Sequence, residues 1–140
     1  MKDSINLAIN GIQHIGIPVT NVTASQQFYK RLGFVNAMER PFDHNGEKGT
    51  CVMMQRDNMI LELYQFPESA LDEIRSRKDG HVDHVAFDVS DINETFRVVS
   101  EAGFNVLEPE PVFLQFWKNG CKYFNITGPD GERLEFNQVL

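Results

Sequence analysis

The sequence predicts an α+β protein built from two copies of one βαβββ module. Three observations lead to this prediction. A long segment repeats at a fixed offset, each copy opens with a strand pattern followed by a helix pattern, and three further strand-like stretches follow each copy. We therefore expect helices packed on one face of the sheets and a second face left for other uses.

The two copies of the repeat align without a gap at an offset of 70 residues. Residues 13–34 read QHIGIPVTNVTASQQFYKRLGF, and residues 83–104 read DHVAFDVSDINETFRVVSEAGF. The alignment places His14 on His84 and matches the Gly-Phe pairs that end the two segments. A chance match rarely keeps histidines and glycines in one register, so the similarity indicates a doubled supersecondary unit.

Each copy opens with a strand in which apolar residues alternate with other types. The apolar residues are Ile15, Ile17 and Val19 in the first copy and Val85, Phe87 and Val89 in the second. Period two sends alternate residues to opposite faces of a strand. His14 and His84 therefore lie on the face away from the apolar residues, beside the small residues Gly16 and Ala86, which leave a hollow there.

A helix follows each opening strand. Asn21 or Thr23 is the expected N-cap of the first helix, and Asp91 is that of the second, with Glu94 placed to complete a capping box. Each helix is predicted to end just before a glycine suited to the left-handed position, at Leu32-Gly33 and Ala102-Gly103. The predicted sheet-facing stripes consist of Phe28, Leu32, Phe96 and Val99.

The remaining strands complete the two modules. They are predicted at about residues 34–40, 49–56 and 59–66 in the first copy and about 104–108, 120–128 and 132–139 in the second. The expected tight turns are Asp57-Asn58 and Pro129-Asp130-Gly131. A polar linker at 67–80, with a short helix after Pro67, separates module one (about 11–66) from module two (about 81–140), so residues 1–140 are expected to form a single domain.

Composition excludes several classes of function. A chain of 140 residues with a formal net charge of −7 and a pI near 5.0 is a poor ligand for nucleic acid, because its surface repels phosphates. No apolar run is long enough to span a bilayer, and the N-terminus lacks the pattern of a signal peptide. We expect a cytoplasmic protein whose two cysteines, Cys51 and Cys121, are reduced thiols packed in strands.

Two glutamates occupy matching places in the closing strands of the modules. Glu62 lies in MILELYQF and Glu135 lies in RLEFNQV, and the apolar neighbours of each point to the opposite face. Each glutamate therefore shares a face with the histidine of its own module. Two imidazoles and two carboxylates facing one hollow are well matched to a divalent metal. Because the four residues are symmetric across the duplication, we favour this interpretation over four unrelated buried polar residues.

With these motifs on view, the chain resembles the vicinal oxygen chelate superfamily of glyoxalase I-like proteins over nearly its whole length. QHIGIPVTNVTASQQFYKRLGF is similar to the family's opening strand and helix, DHVAFDVSD to its second-module strand, and GPDGERLEF to its closing hairpin. The resemblance implies a cupped mixed sheet around a metal, in one chain or across a dimer. It also implies the ligand set His14, Glu62, His84 and Glu135.

The resemblance implies the chemistry as well. Such ligands suit Ni, Co, Zn, Fe or Mn, and the ion acts as a Lewis acid on a carbonyl substrate that reacts through an enediolate. By similarity to bacterial glyoxalase I, Glu135 is the expected catalytic base and Glu62 the second catalytic glutamate. The expected function is that of a metal-dependent lyase or isomerase similar to lactoylglutathione lyase, acting on a small carbonyl compound.

Two positions depart from the patterns of relatives. Many glyoxalases carry an arginine four residues after the first histidine, where it binds glutathione; here that position is Pro18. Methylmalonyl-CoA epimerases carry a catalytic glutamate on the strand that reads GTCVMM, where the alignment gives Val52. An epimerase of that type or a sugar-type isomerase is the first alternative function, and a non-catalytic binder similar to bleomycin-resistance proteins is the second.

The region before the closing hairpin supplies the predicted substrate contacts. If the last turn holds three residues, Asn125 faces Glu135 and Tyr123 faces Asn137 across the hairpin, so Tyr123 and Asn125 line the hollow. Phe116, Trp117 and Lys118 are expected in a loop over it, with core packing of the aromatic residues as the alternative. His81, by its parity, and His44, in a predicted polar loop, are expected to take no part.

A homodimer is expected, because relatives usually form C₂ dimers and symmetric pairs are the commonest soluble oligomers. The linker at 67–80 is long enough for the modules to pair within one chain or between two chains.

Overall fold

The computed structural model describes residues 4–77, 82–127 and 133–140. The elements in chain order are β1 (Ile9–Pro18), α1 (Val22–Arg31), β2 (Val35–His44), β3 (Glu47–Arg56), β4 (Met59–Gln65), α2 (Glu68–Ser76), β5 (His84–Val89), α3 (Ile92–Glu101), β6 (Val112–Leu114), β7 (Cys121–Thr127) and β8 (Arg133–Val139). None of the helices in these described ranges is long and apolar enough to cross a membrane.

The structure separates into two compact units, with the breaks between Gln13 and His14 and between Asp83 and His84. The first unit, which begins at His14, has the strand order β2-β3-β4-β1, with β1 and β4 parallel and the other neighbours antiparallel. The second unit, which begins at His84 and also includes the first half of β1, has the order β5-β8-β7-β6, with β5 and β8 parallel. The predicted α+β class and the two βαβββ modules with mixed strand directions are confirmed.

Each unit has its own apolar core on the face predicted from period two. In the second unit the buried core consists of Val89, Ile92, Val99, Phe124, Ile126 and Phe136. Phe124 is fully buried, with its ring centroid 5.0 Å from that of Phe96 and 5.1 Å from that of Phe136. The core of the first unit consists of Val19, Val52, Met54 and Leu63.

Helix ends follow the local signals of the sequence. The side chain of Asn21 accepts a hydrogen bond from the Ala24 backbone N–H at 3.0 Å, and Asp91 accepts one from Glu94 N–H at 3.1 Å. Asn21 rather than Thr23 is therefore the first N-cap. Gly33 and Gly103 have φ of 89° and 86°, the left-handed conformation that a residue with a Cβ adopts at a cost.

The predicted stripe on α1 is wrong. Phe28 and Leu32 remain 55% and 49% exposed, whereas Tyr29 and Val22 pack against the core of the first unit. Adjacent helical positions differ by about 100°, so choosing Phe28 instead of Tyr29 rotates the predicted buried face by that amount. On α3 the prediction holds, because Val99 is buried and Phe96 packs beside it.

The second strand of module two also differs from the prediction. Residues 104–108 make an isolated bridge, Val106 to Ile126, and the strand that pairs with β7 is Val112–Leu114, further along the chain. Pro109 and Pro111 cannot donate to a strand ladder, which explains why this pairing does not continue from residue 108 into Val112–Leu114. The loop predicted at Phe116, Trp117 and Lys118 follows this short strand.

The turns of module one show one confirmation and one error. Asp57-Asn58 joins Arg56 to its partner Met59, as predicted for a two-residue hairpin. His44, placed in a loop by the sequence analysis, ends β2 and pairs with Glu47 across the turn residues Asn45-Gly46. An Asn-Gly pair is a strong hairpin signal, so this turn was available from the sequence. The predicted turn at 129–131 and His81 lie outside the described residues.

Candidate functional site

The first unit brings together one histidine and one glutamate. Strands β1 and β4 run parallel with Gly16 opposite Glu62, so His14 and Glu62 lie on the same face of neighbouring strands. Both side chains are buried, and His14 Nε2 is 3.8 Å from Glu62 Oε1. The apolar neighbours Leu61 and Leu63 point to the other face.

Sulfur-containing residues surround this first pair. Cys51 Sγ donates to Glu62 Oε2 at 3.7 Å, and Met53 is the cross-strand neighbour of Glu62. Met38 lies opposite Met53 on the next strand, and all three sulfur residues are buried. Methionine and cysteine are soft and polarizable, so the glutamate of this unit lies beside apolar side chains and accepts from a thiol, which is a weak donor.

The second unit repeats the arrangement with its own pair. Strands β5 and β8 run parallel with Ala86 opposite Glu135, which places His84 and Glu135 on one face. His84 Nε2 is 3.5 Å from Glu135 Oε1, and both residues are 8% exposed. The duplication seen in the sequence therefore yields two equivalent buried imidazole–carboxylate pairs, one in each unit.

A chain of amides holds the carboxylate of the second unit. Asn137 Nδ2 donates to Glu135 Oε2 at 2.8 Å. Gln13 Nε2 in turn donates to Asn137 Oδ1 at 3.0 Å and to the Asn137 carbonyl at 3.1 Å, and it approaches Asp88 Oδ1 at 3.3 Å. Because every member of this chain is buried or half-buried, it fixes the orientation of the Glu135 carboxylate.

Gln13 and Asn137 were not among the predicted site residues, although the position of Asn137 carried a signal. Asn137 follows Glu135 by two residues and therefore shares its face by period two. Gln13 directly precedes His14 and belongs to the other unit of the structure, a division that no local pattern shows.

The predicted register of the closing hairpin is confirmed. Asn125 lies opposite Glu135 and Tyr123 opposite Asn137, and directly opposite residues of antiparallel strands project to one face. Asn125 is buried and Tyr123 is half-buried. Burial, followed by the negative charges of Glu108 and Glu135, raises the pKa of Tyr123 to about 12, so its phenol is a hydrogen-bond donor at neutral pH.

Glu108 is a site residue that the sequence analysis missed. Its carboxylate accepts hydrogen bonds from the Asn125 backbone N–H at 2.6 Å and from Asn125 Nδ2 at 2.9 Å. Glu108 lies in the irregular segment where a strand was predicted, so its side-chain direction did not follow from period two.

The aromatic loop after β6 holds the other predicted substrate residue. Phe116 is buried, Trp117 is half-buried with φ of 65°, and Lys118 is exposed. A bulky residue in the left-handed region is uncommon and marks a sharp change of chain direction at Trp117. The role of Trp117 in substrate binding stays a prediction, as does the assignment of His14, Glu62, His84 and Glu135 as metal ligands.

Comparisons with known proteins bear on the family. The model of the Glyoxalase/Bleomycin resistance protein/Dioxygenase superfamily matches residues 11–136. The chain is 30% identical over 129 residues to an uncharacterized protein, YwbC, of Bacillus subtilis (strain 168), and the match covers 91% of this chain and 96% of that protein.

Solved structures of similar fold include two methylmalonyl-CoA epimerases. The enzyme from Mycobacterium tuberculosis matches with a TM-score of 0.75 and 18% identity, over 99% of this chain and 95% of that one. A variant of the enzyme from Streptomyces coelicolor, in complex with 2-nitronate-propionyl-CoA, matches with a TM-score of 0.74 and 20% identity, over 94% and 96% of the two chains. At these identities the likeness concerns the fold.

Proposed function

Since this chain belongs to the Glyoxalase/Bleomycin resistance protein/Dioxygenase superfamily, we propose that it is a divalent-metal-dependent enzyme of glyoxalase I type, a lyase or isomerase of a small carbonyl compound. One observation carries the proposal. Each unit holds a buried histidine paired with a buried glutamate, at 3.8 Å for His14 and Glu62 and at 3.5 Å for His84 and Glu135. Buried ionisable groups in matched pairs are typical of metal sites and of catalysis.

The donor set fits the proposed ion. Two neutral imidazoles and two carboxylates form a site preferred by Ni, Co, Zn, Fe or Mn, and we propose His14, Glu62, His84 and Glu135 as the ligands. The buried sulfur atoms of the first unit belong to residues outside this set. When bound, the ion supplies Lewis-acid polarisation of the substrate carbonyl.

The protein's own part is the movement of a proton. We assign Glu135 as the base that removes the hydrogen from the carbon next to the carbonyl, because Asn137 and Gln13 hold its carboxylate in one orientation. Glu62, which accepts a hydrogen bond from the thiol of Cys51, is assigned the supporting catalytic role.

A second candidate is an epimerase of methylmalonyl-CoA type or a sugar-type isomerase, favoured by the solved structures of similar fold. The position expected to carry the epimerase glutamate, Val52, is fully buried in the apolar core of the first unit. Its neighbours Cys51 and Met53 share the face of Glu62 and are not acids. Glyoxalase-type chemistry therefore ranks first, and a non-catalytic binder is the third candidate.

The first test of the proposal measures how much metal the protein binds. The purified protein is stripped with a chelator, reconstituted with each of the five metals, dialysed and measured by elemental analysis. About one ion per chain supports the proposal, whereas substoichiometric metal after reconstitution removes it and favours the binder. Turnover of methylmalonyl-CoA by the reconstituted protein would select the epimerase.

We predict weak or no activity on the glutathione hemithioacetal of methylglyoxal. Pro18 stands where many glyoxalases carry the arginine that binds glutathione, and proline offers no charge for the peptide's carboxylate. The measurement is the absorbance assay for thioester formation, with a lactoylglutathione lyase as the positive control. Turnover at a kcat/KM of about 10⁴ M⁻¹s⁻¹ or more, the lower end of ordinary enzymes, would contradict the prediction.

We also propose that the protein is a cytoplasmic homodimer. Phe28 and Leu32 leave apolar surface exposed on α1, and a C₂ pair is the usual way in which soluble proteins cover such surface. Sedimentation equilibrium at micromolar concentration is expected to give twice the chain mass of 16.0 kDa. A monomer would contradict the dimer.

Subunit mixing then decides whether a site takes ligands from one chain or two. A His14→Ala chain is exchanged with a Glu135→Ala chain, and metal content is compared with that of the separate variants. Recovery of one intact site in each heterodimer shows sharing between chains, and no recovery shows that each chain holds its own site. The matched control exchanges His14→Ala with Glu62→Ala, which damage the same half-site, so no recovery is expected in either case.

A further inference from the structure

Asn125 is a buried amide with an unusual hydrogen-bond balance. It is 4% exposed, and its neighbours Phe124 and Ile126 point into the core of the second unit. Asn125 therefore projects to the face of Glu135, its cross-strand partner. This is the face that the proposed function uses.

Glu108 determines which end of the amide points where. The Asn125 backbone N–H and Nδ2 both donate to the Glu108 carboxylate, at 2.6 and 2.9 Å. Rotation of the amide by 180° would place Oδ1 against a carboxylate, exchanging an attraction for a repulsion between two acceptors. The amide is thus held with Oδ1 directed away from Glu108.

That oxygen lacks a partner. Among residues 4–77, 82–127 and 133–140, the structure gives Asn125 Oδ1 no hydrogen-bond donor, although it is fully buried. Buried acceptors without partners are rare in native proteins, and each one calls for a missing donor such as a ligand or a water. Here the acceptor is fixed in advance by a charged residue, which is how binding sites are preorganised.

The surroundings define the chemistry of the donor. The Glu108 carboxylate lies against the Asn125 amide, so an anionic group of a ligand is disfavoured beside it. Tyr123 lies two residues from Asn125 on the same face, with about 7 Å between the two Cα atoms, and its phenol is a donor. An acceptor and a donor on one face of neighbouring strand positions can bind two oxygens of a short polyhydroxylated chain.

We propose that Asn125 Oδ1, held by Glu108, accepts a hydrogen bond from a hydroxyl group of the substrate, while Tyr123 donates to a neighbouring oxygen. The substrate class is a neutral hydroxylated carbonyl compound of sugar type. This inference rests on the proposed function and names the substrate class of the same site.

The test compares two ligands that differ by one hydroxyl group. Dihydroxyacetone and hydroxyacetone are titrated separately into the metal-reconstituted, ¹⁵N-labelled protein, and the side-chain amide signal of Asn125 is followed by NMR. Dihydroxyacetone is expected to bind about tenfold more tightly, the effect of one hydrogen bond to a buried acceptor, and to shift the Asn125 signal.

Three variants separate this role from general damage. Asn125→Leu is expected to bring the affinity ratio close to one, and Glu108→Ala, which leaves Asn125 in place but unclamped, to lower it severalfold. Asn105→Leu is the control, because Asn105 is an exposed amide of the same unit that bonds Thr127 instead. The control is expected to keep the wild-type ratio.

The outcomes distinguish this inference from the proposed function. Wild-type protein that takes metal but binds both ketones equally, or neither, overturns the inference and leaves the metal enzyme standing. That result is also expected if Oδ1 holds only a buried water. Wild-type protein that takes no metal overturns the proposed function and this inference together.

Discussion

Replacement of His84 by alanine is expected to abolish metal binding while the chain remains folded. His84 is buried beside Glu135 on the face opposite to the apolar core of the second unit, so truncation removes a proposed ligand and leaves the core contacts intact. Loss of one of two imidazoles from a four-ligand site removes a large share of the binding free energy. Elemental analysis after reconstitution should fall from about one ion per chain to nearly none.

The control for this experiment is His44→Ala. His44 is a half-buried histidine at the end of β2 whose ring contacts Phe66 at 4.7 Å between centroids, so its loss also removes an imidazole from a strand. Full metal content is expected for this variant. Circular dichroism should show folded protein in both, and full metal stoichiometry in His84→Ala would refute the ligand assignment.

The second large effect is expected for Glu135→Gln. A neutral amide of the same shape cannot take a proton from carbon, so the rate of the chemical step should fall by about 10²–10⁴-fold, the usual contribution of a general base. Exchange of the substrate C–H hydrogen for deuterium in D₂O, followed by NMR with dihydroxyacetone, measures that step directly. The protein is kept saturated with metal, so that a weakened ligand is not mistaken for a lost base.

The matched variant is Glu62→Gln, which changes the equivalent carboxylate of the other unit. Under the same metal saturation it is expected to slow exchange less than Glu135→Gln does. A larger effect at Glu62 would show that the two glutamates have the opposite roles.

Asn137→Leu, which removes the donor to Glu135 Oε2, should lower kcat while leaving metal content near that of wild type.

Much of the fold could be predicted because its signals are local. Period two along β1 and β5 assigned His14 and His84 to one face and the apolar residues to the other, and side-chain direction in a strand depends only on parity. The 70-residue repeat then required the same arrangement twice. The two histidine–glutamate pairs follow from parity and the parallel pairing typical of the module, and the structure shows both.

Errors arose where a residue's direction depended on its packing partners. Phe28 and Tyr29 are adjacent aromatic residues on α1, and the amphipathic pattern allows either one on the buried face of the helix. In the structure it is Tyr29 that contacts the core of the first unit. The strand predicted at 104–108 does not form, because a strand needs the edge of a neighbouring strand to pair with as well as a suitable composition. Regular pairing with β7 is taken by Val112–Leu114 instead.

The sequence by itself therefore determined the doubled module, the polar and apolar faces, and the histidines and glutamates proposed as ligands, since each of these follows from spacing along the chain. Only the tertiary structure decided how the polar face is held. Glu108 clamps Asn125 from 17 residues away, and Gln13 supports Asn137 from 124 residues away. Such contacts depend on the path that the chain takes between the two residues, and that path is set by packing of the whole unit, which no local pattern encodes.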